Sequence, residues 1–193
     1  MKALRRTYKV YPLYIGCVGL IIILLVSISL PCICSSAKND KLPGKLSLYC
    51  SSGAGAWGIN LTIKKNGRFK GEHHDTDMDS GPGYDATIYY SNFKGKFANI
   101  KKKGKYTYAM KVKTVTLKDT PGIQYKSKRT LFKACDTKLK KGKYTLFCPG
   151  LPTNQLPAEA REWLILSCFI DESMPTLDGY VLYCKGDNPY FGR

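Results

Sequence analysis

The stretch of residues 57–75 constrains the fold more than any other part of this 193-residue chain. Apolar residues alternate with small or polar ones from Trp57 to Ile63, which places one face of a β-strand in a core. Asn66-Gly67 then supplies the residues with positive φ that a tight hairpin turn requires, and residues 68–71 begin the return strand. The stretch therefore predicts an antiparallel hairpin whose second strand leads into a group of imidazoles and carboxylates.

Similar alternating segments, separated by turn signals, recur along the chain and predict about eight strands. A turn is predicted at residues 101–104, and residues 119–143 are predicted as a long basic excursion with a short helical turn near residues 131–135. One late helix is predicted at residues 157–166, because proline suits a first helical turn and Glu159 and Glu162 suit the positive end of the helix dipole. The predicted strands are residues 46–50, 57–63, 68–74, 86–93, 95–100, 106–117, 144–148 and 180–184.

These elements predict an all-β domain with a minor helical part. Regularly spaced short strands with near-neighbour connections favour an antiparallel up-and-down barrel or a strongly curved sheet, of the lipocalin or calycin type. Closure removes exposed strand edges, and the interior of a barrel of about eight strands holds side chains or one small ligand. Residues 55–57, which read Gly-Ala-Trp before a meander, are also similar to the opening of lipocalin-type barrels.

The N-terminal 37 residues are predicted to be a signal or anchor segment. An uncharged run of 18 residues, 13–30, follows four basic residues and is long enough to cross the hydrocarbon core. A retained anchor gives a single-pass cell-membrane protein with an extracytoplasmic domain, and cleavage after Ala37 gives a secreted one. The inverted orientation, with a cytosolic domain, is the alternative. The predicted organisation is thus a segment 1–37, a linker 38–44 and a barrel domain 45–193.

The charge of the chain is uneven. Residues 38–150 contain 24 Lys or Arg and 8 Asp or Glu, whereas residues 151–193 contain 3 and 6. Outside a cell, a basic surface favours anionic lipid headgroups or an anionic wall polymer as a partner. The alternative is that the lysines only keep strand faces solvated and sheet edges unpaired. Aromatic residues interleave with lysines between residues 84 and 108. This pattern is typical of a surface that binds nucleic acid or glycans, but it is more simply explained by strands with one face in the core. Nucleic acid is therefore not the expected partner.

The eight cysteines leave several states open. Three lie in or beside the apolar run, and the other five are scattered with no Cys-x-x-Cys pair. One or two disulfides, or free buried thiols that replace small apolar residues, are both compatible with this spacing. The spacing of zinc ligands is absent.

One dense cluster of ionisable residues follows the hairpin. Alternating carboxylates can converge on one cation, as in calcium loops, although the glycine and glutamate positions of an EF-hand loop do not match. An imidazole could instead bind a transition metal, but adjacent residues of a strand point to opposite faces. The alternatives are a solvated acidic loop and a catalytic centre. The candidate ligands of a divalent cation are His73, His74, Asp75, Asp77 and Asp79.

Motifs of catalysis are missing from the sequence, which has no Gly-x-Ser-x-Gly elbow, no His-Glu-x-x-His and no phosphate-binding glycine loop. The sequence therefore predicts a non-enzymatic module that binds a small molecule or a cell-surface partner. The competing classes are a metal-dependent enzyme that uses the cluster at residues 73–79 and an electrostatic adaptor to anionic wall polymer or lipid. The oligomeric state is left open.

Three short motifs carry a resemblance to a family. Residues 52–57 read Ser-Gly-Ala-Gly-Ala-Trp, residues 66–71 read Asn-Gly-Arg-Phe-Lys-Gly, and residues 73–78 read His-His-Asp-Thr-Asp-Met. Together they resemble an uncharacterised group of exported or membrane-anchored proteins from Firmicutes, chiefly clostridia. The chain differs from that pattern at His73, which precedes His74, and at Asp79, where glycine is usual. The resemblance implies an exported domain and its fold, and it implies no activity.

Overall fold

The computed structural model describes residues 40–51, 55–79 and 82–193. Within these ranges the protein is mostly β-structure with one α-helix, as the sequence predicts. The apolar run 13–30 and the predicted boundary between residues 37 and 38 lie outside the described residues. None of the helices within the described ranges is long and apolar enough to span a membrane.

Ten strands and one α-helix make up the described part of the chain. A 3₁₀ turn (Thr153–Gln155) and the helix α1 (Ala158–Leu166) lie between the eighth and ninth strands. The strands are β1 (Leu46–Cys50), β2 (Trp57–Ile63), β3 (Arg68–Asp77), β4 (Ala86–Gly104), β5 (Thr107–Leu117), β6 (Gln124–Ser127), β7 (Thr130–Ala134), β8 (Lys143–Phe147), β9 (Tyr180–Tyr183) and β10 (Tyr190–Gly192).

Eight of these strands close into an antiparallel barrel. They pair in the order β1-β2-β3-β4-β5-β8-β9-β10, and β10 returns to β1 through the pair Phe191 and Tyr49. Except for the step from β5 to β8, each connection joins strands that are consecutive in sequence, so the barrel is an up-and-down meander. Closure satisfies the backbone groups that an open sheet would leave exposed at its edges. The predicted antiparallel barrel is confirmed.

The interior of the barrel is filled by side chains. The period-two alternation of β1 turns Leu46, Leu48 and Cys50 inward, and all three are buried. On the opposite wall Phe97 packs edge-on against Tyr144, with ring centroids 5.5 Å apart. Both rings are at most 1% exposed, so the space enclosed by the strands is a packed core.

Helix α1 covers part of the outer surface of the barrel. Pro157 precedes the helix with a φ of −53°, and Glu159 lies in its first turn, where it faces the positive end of the helix dipole. Ala160 and Leu164 lie four residues apart on one face and are fully buried in a second core that includes Val181 of β9. The predicted late helix is confirmed.

Strand β4 is one continuous strand of 19 residues, where the sequence predicted two strands and a turn at residues 101–104. Its register with β5 shifts at three places, and Asn99 lies in the left-handed region with a φ of 54°. A bulge adds an unpaired residue, bends the strand and increases its twist. The predicted break at Lys94 precedes these shifts, whereas the predicted turn at residues 101–104 lies among them.

Strands β6 and β7 form a hairpin outside the barrel. Strand β7 runs parallel to residues 86–90 of β4, and β6 pairs antiparallel with β7. We call these three segments the wing. The helical turn predicted near residues 131–135 is therefore wrong. Thr130, Leu131 and Phe132 favour a strand because a distant segment of β4 offers them a pairing partner, which local periodicity does not reveal.

The five cysteines within the described ranges are free thiols. Cys50 and Cys148 are buried among apolar side chains of the barrel core. They occupy the positions of small apolar residues, which is a common role of unpaired cysteine. The sequence leaves open disulfides and free buried thiols, and these five cysteines are free thiols in the structure.

Candidate functional site

The structure places four of the five predicted metal ligands on one strand, with His74 on the opposite face from His73, Asp75 and Asp77. His73, His74, Asp75 and Asp77 belong to strand β3 rather than to a loop, and Asp79 follows the end of that strand. His73 is buried inside the barrel, whereas His74 lies on the other face of the strand. Within the described ranges no three His, Cys, Asp or Glu side chains lie close enough to share a metal ion. The divalent-cation site stays a prediction.

The fold brings His73 next to Cys135, a contact that the sequence did not predict. The Cys135 Sγ atom lies 3.6 Å from the His73 Nδ1 atom. Cys135 follows β7, and its backbone N–H donates a 2.8 Å hydrogen bond to the carbonyl oxygen of Tyr90 in β4. Ser91, which is buried, stands opposite His73 in the register of β3 and β4. The pairing of β7 with β4 thus places the thiol of Cys135 next to the buried His73.

Burial shifts the pKa of both members of this pair towards the uncharged form. Burial, and then the positive charge of Lys138, lower the pKa of His73, while Asp75 opposes the shift. Burial raises the pKa of Cys135, although Lys138 and Ser91 act in the opposite direction. A cysteine nucleophile needs a thiolate, which a neighbouring cation or imidazolium usually stabilises. These shifts favour the neutral thiol and the neutral imidazole over the ion pair that a cysteine nucleophile uses.

A groove of about 620 Å³ lies on the outer face of the barrel, across β2, β3, β4 and β5. Among the residues that the structure describes, its lining includes six cationic side chains and no carboxylate. We call it the basic groove. The six cationic residues are Lys45, Lys64, Arg68, Lys70, Lys94 and Lys96.

The register of β3 and β4 places like charges directly opposite each other in this groove. Arg68 pairs with Lys96, and Lys70 pairs with Lys94. Directly opposed side chains of an antiparallel pair have Cβ atoms about 4.5–5.5 Å apart, and like charges at this distance destabilise the sheet. Within the described part of the chain, none of the salt bridges includes a cation of the groove. The fold therefore maintains a repulsive arrangement that no acidic side chain of the groove lining offsets.

Two glycines and a bulge accompany the curvature of the sheet at the groove. Inside the barrel the ring of Phe93 packs on Gly71 and the ring of Phe69 packs on Gly95, which leaves no room for a Cβ atom at either glycine. The first bulge of β4 follows Lys96. Glycines within strands often mark bends, and bulges increase the local twist. The two glycines thus allow the rings of Phe69 and Phe93 to pack closely on the inner face of β3 and β4.

A scan against protein-family models and searches of curated proteins and of solved structures found no match for this chain. The resemblance to the clostridial group stays a prediction. Function is therefore inferred from the groove, the barrel and their charges.

Proposed function

We propose that the protein is a non-enzymatic binding module that holds an anionic polymer in the basic groove. The observation that carries this proposal is the pair of directly opposed cations, Arg68 with Lys96 and Lys70 with Lys94, in a groove lined by no carboxylate. An anion placed between such cations gains attraction from both and also removes their mutual repulsion. A groove of this kind is therefore more favourable with an anion than without one.

The packed interior of the barrel supports an outer site over an inner one. Phe97, Tyr144 and Tyr190 fill the space between the strands, and each is at most 2% exposed. A ligand inside would have to displace these side chains, which costs packing energy. The open space of the basic groove lies outside the barrel, so an adaptor function is better supported than small-molecule storage.

The shape of the groove favours a polymer chain over a lipid surface. The groove extends across four neighbouring strands, which are about 4.8 Å apart, so its width is about 15 Å. A polymer strand can enter such a concave surface and contact Lys70 and Lys94 together. A flat bilayer would contact mainly the rim.

The proposal includes the setting in which the module acts. The basic N-terminus and the uncharged run 13–30 support a signal or membrane anchor, with the barrel outside the cytoplasm. An up-and-down meander with one late helix supports a relationship to lipocalin-type barrels. In this setting an anionic polymer of the cell surface is the expected ligand.

Binding of a simple polyanion tests the proposed function. The full chain, purified in a neutral detergent, is titrated with linear polyphosphate at low salt. We expect binding that weakens steeply as salt rises, because screening reduces the attraction between exposed charges. The double variant Lys94→Glu, Lys96→Glu should weaken binding about tenfold or more, which corresponds to roughly 1.4 kcal/mol.

A matched variant separates the groove from the overall charge. Lys141 and Lys185 are exposed, flank β8 and β9, and do not line the groove. The control Lys141→Glu, Lys185→Glu changes the net charge by the same amount and should change the affinity much less. An equal loss in both double variants would contradict a groove-specific site. Binding to anionic vesicles but not to soluble polyphosphate would assign the surface to lipid instead.

A further inference from the structure

We infer that the anionic polymer is an acidic polysaccharide whose sugar rings contact aromatic side chains of the wing while its charged groups occupy the basic groove. This inference rests on the proposed function and adds the chemical class of the ligand. Three features support it: an aromatic cluster beside the outer face of β4, the continuity of that cluster with the groove along β4, and one carboxylate on the neighbouring strand β3.

The aromatic cluster lies on the outer side of the wing. The rings of Tyr125 and Phe132 are stacked, with centroids 4.8 Å apart and planes inclined by 3°. Tyr90 stands edge-on to both rings, at 6.0 Å and 6.5 Å. The side chain of Tyr125 remains about half exposed, at 50%. Aromatic rings provide rigid apolar faces with a polar edge, a combination that suits the C–H face and the hydroxyl groups of a sugar ring.

This cluster and the basic groove share one face of β4. Side chains of alternate residues in a strand lie on the same side, so Tyr90, Asn92, Lys94 and Lys96 form a row. At about 3.3 Å per residue, Tyr90 and Lys94 are about 13 Å apart along this row. A second depression of about 430 Å³ contains Asn92 and shares Lys70 and Lys94 with the basic groove. One extended polymer can therefore contact the aromatic rings and the cations together.

The carboxylate of Glu72 distinguishes among polymers. Glu72 stands directly opposite Asn92 in the register of β3 and β4 and lines the second depression. An ionised carboxylate only accepts hydrogen bonds, so it favours a ligand that donates them at this position. Sugar hydroxyls donate such bonds at every unit of a polysaccharide. The DNA backbone offers no such donors, and RNA offers one 2′-hydroxyl for each nucleotide. This position therefore favours a polysaccharide over a nucleic acid.

The test compares probes that differ in their rings. The full chain is titrated with heparin, which carries sugar rings and anionic groups, with linear polyphosphate, which carries charge alone, and with a single-stranded DNA oligomer. Tyr125→Leu keeps an apolar side chain but removes the aromatic face. We expect it to weaken heparin binding about fivefold, the effect of one lost ring contact, and to leave polyphosphate binding within about twofold. Tyr125→Phe should retain heparin binding.

The outcomes separate this inference from the proposed function. If the wild-type chain binds none of the three polymers, the basic groove is not an anion site. If polyphosphate and heparin both bind but Tyr125→Leu affects them equally, the proposed anion site in the groove is supported and the inferred contact with sugar rings is contradicted. If the variant weakens only DNA binding, the ligand is a nucleic acid. A melting temperature of Tyr125→Leu near that of the wild type confirms that the wing stays folded. If the wing of Tyr125→Leu unfolds, the variants Tyr125→Phe and Tyr125→Trp take its place in the test, and both must retain heparin binding.

Discussion

At the scale of single residues, Lys94 links stability and binding. Its side chain stands opposite Lys70 on β3 and opposite Thr116 on β5, so it meets a like charge on one side and a neutral group on the other. It lines both the basic groove and the adjoining depression. A residue in this position raises the energy of the free protein and lowers that of the complex with an anion.

The single substitution Lys94→Glu should therefore stabilise the free protein. It converts a repulsive cross-strand pair with Lys70 into an attractive one, a change worth about 0.2–1 kcal/mol in the free energy of unfolding. The same change should weaken polyphosphate binding. Denaturant unfolding and titration measure the two effects on one sample, and Lys141→Glu is the control. Reduced stability together with unchanged binding would contradict the role assigned to Lys94.

The residues of the groove are visible in the sequence, but their arrangement is not. Arg68, Lys70, Lys94 and Lys96 are recognisable as cations on alternating strand positions. Only the register of β3 and β4 reveals that they oppose each other. The contact of His73 with Cys135 depends on the wing and is equally non-local. Of the five candidate metal ligands, alternation along β3 places His73, Asp75 and Asp77 on one face and His74 on the other.

At the scale of secondary-structure elements, the sequence predicts the strands and the helix that a local sequence pattern marks. Strands β1 and β2 and helix α1 were predicted to within one residue, because clear alternation or helix-end signals mark them. Strand β10 was missed because it has only three residues and is stabilised by pairing with β1 and β9. Strands β6 and β7 were missed because they are also short and β7 pairs with β4, which is distant in sequence. Elements that depend on a distant partner carry little signal of their own.

The close packing around β4 requires glycine at Gly95. A Cβ atom there would collide with the carbonyl oxygen of Thr114 and with the ring of Phe69. We therefore expect Gly95→Ala to lower the free energy of unfolding by about 1–3 kcal/mol, the usual cost of overpacking.

Gly104, at the end of the same strand, provides the control. A Cβ atom at Gly104 meets no atom within 4 Å, so Gly104→Ala should change stability by about 0.5 kcal/mol or less. Urea unfolding of both variants measures the difference. Equal stability of the two variants would contradict the packing of the Phe69 ring on Gly95.

At the scale of the whole molecule, the barrel combines a basic outer groove with an interior of weak acids held in their neutral form. Burial, and then the charge of Asp187, raise the pKa of Cys50 to about 12. Burial is also the main cause of the raised pKa values of Tyr144 and Tyr190, which lie in the same core. Ionisation of any of these groups in the folded state would place a charge in a packed apolar interior.

This interior predicts a steep loss of stability at alkaline pH. Below about pH 7.5 these groups are protonated in both states, so they contribute no pH dependence. Above that pH the unfolded chain releases its thiol protons while the folded chain retains them, and stability falls by about 1.4 kcal/mol per pH unit for each proton. Urea unfolding under reducing conditions at pH 8, 10 and 11 measures this slope.

Cys50→Ala should lower stability at every pH through lost packing, but it should reduce the slope between pH 10 and 11 by about one proton. A slope identical to that of the wild type would show that Cys50 ionises within the folded barrel.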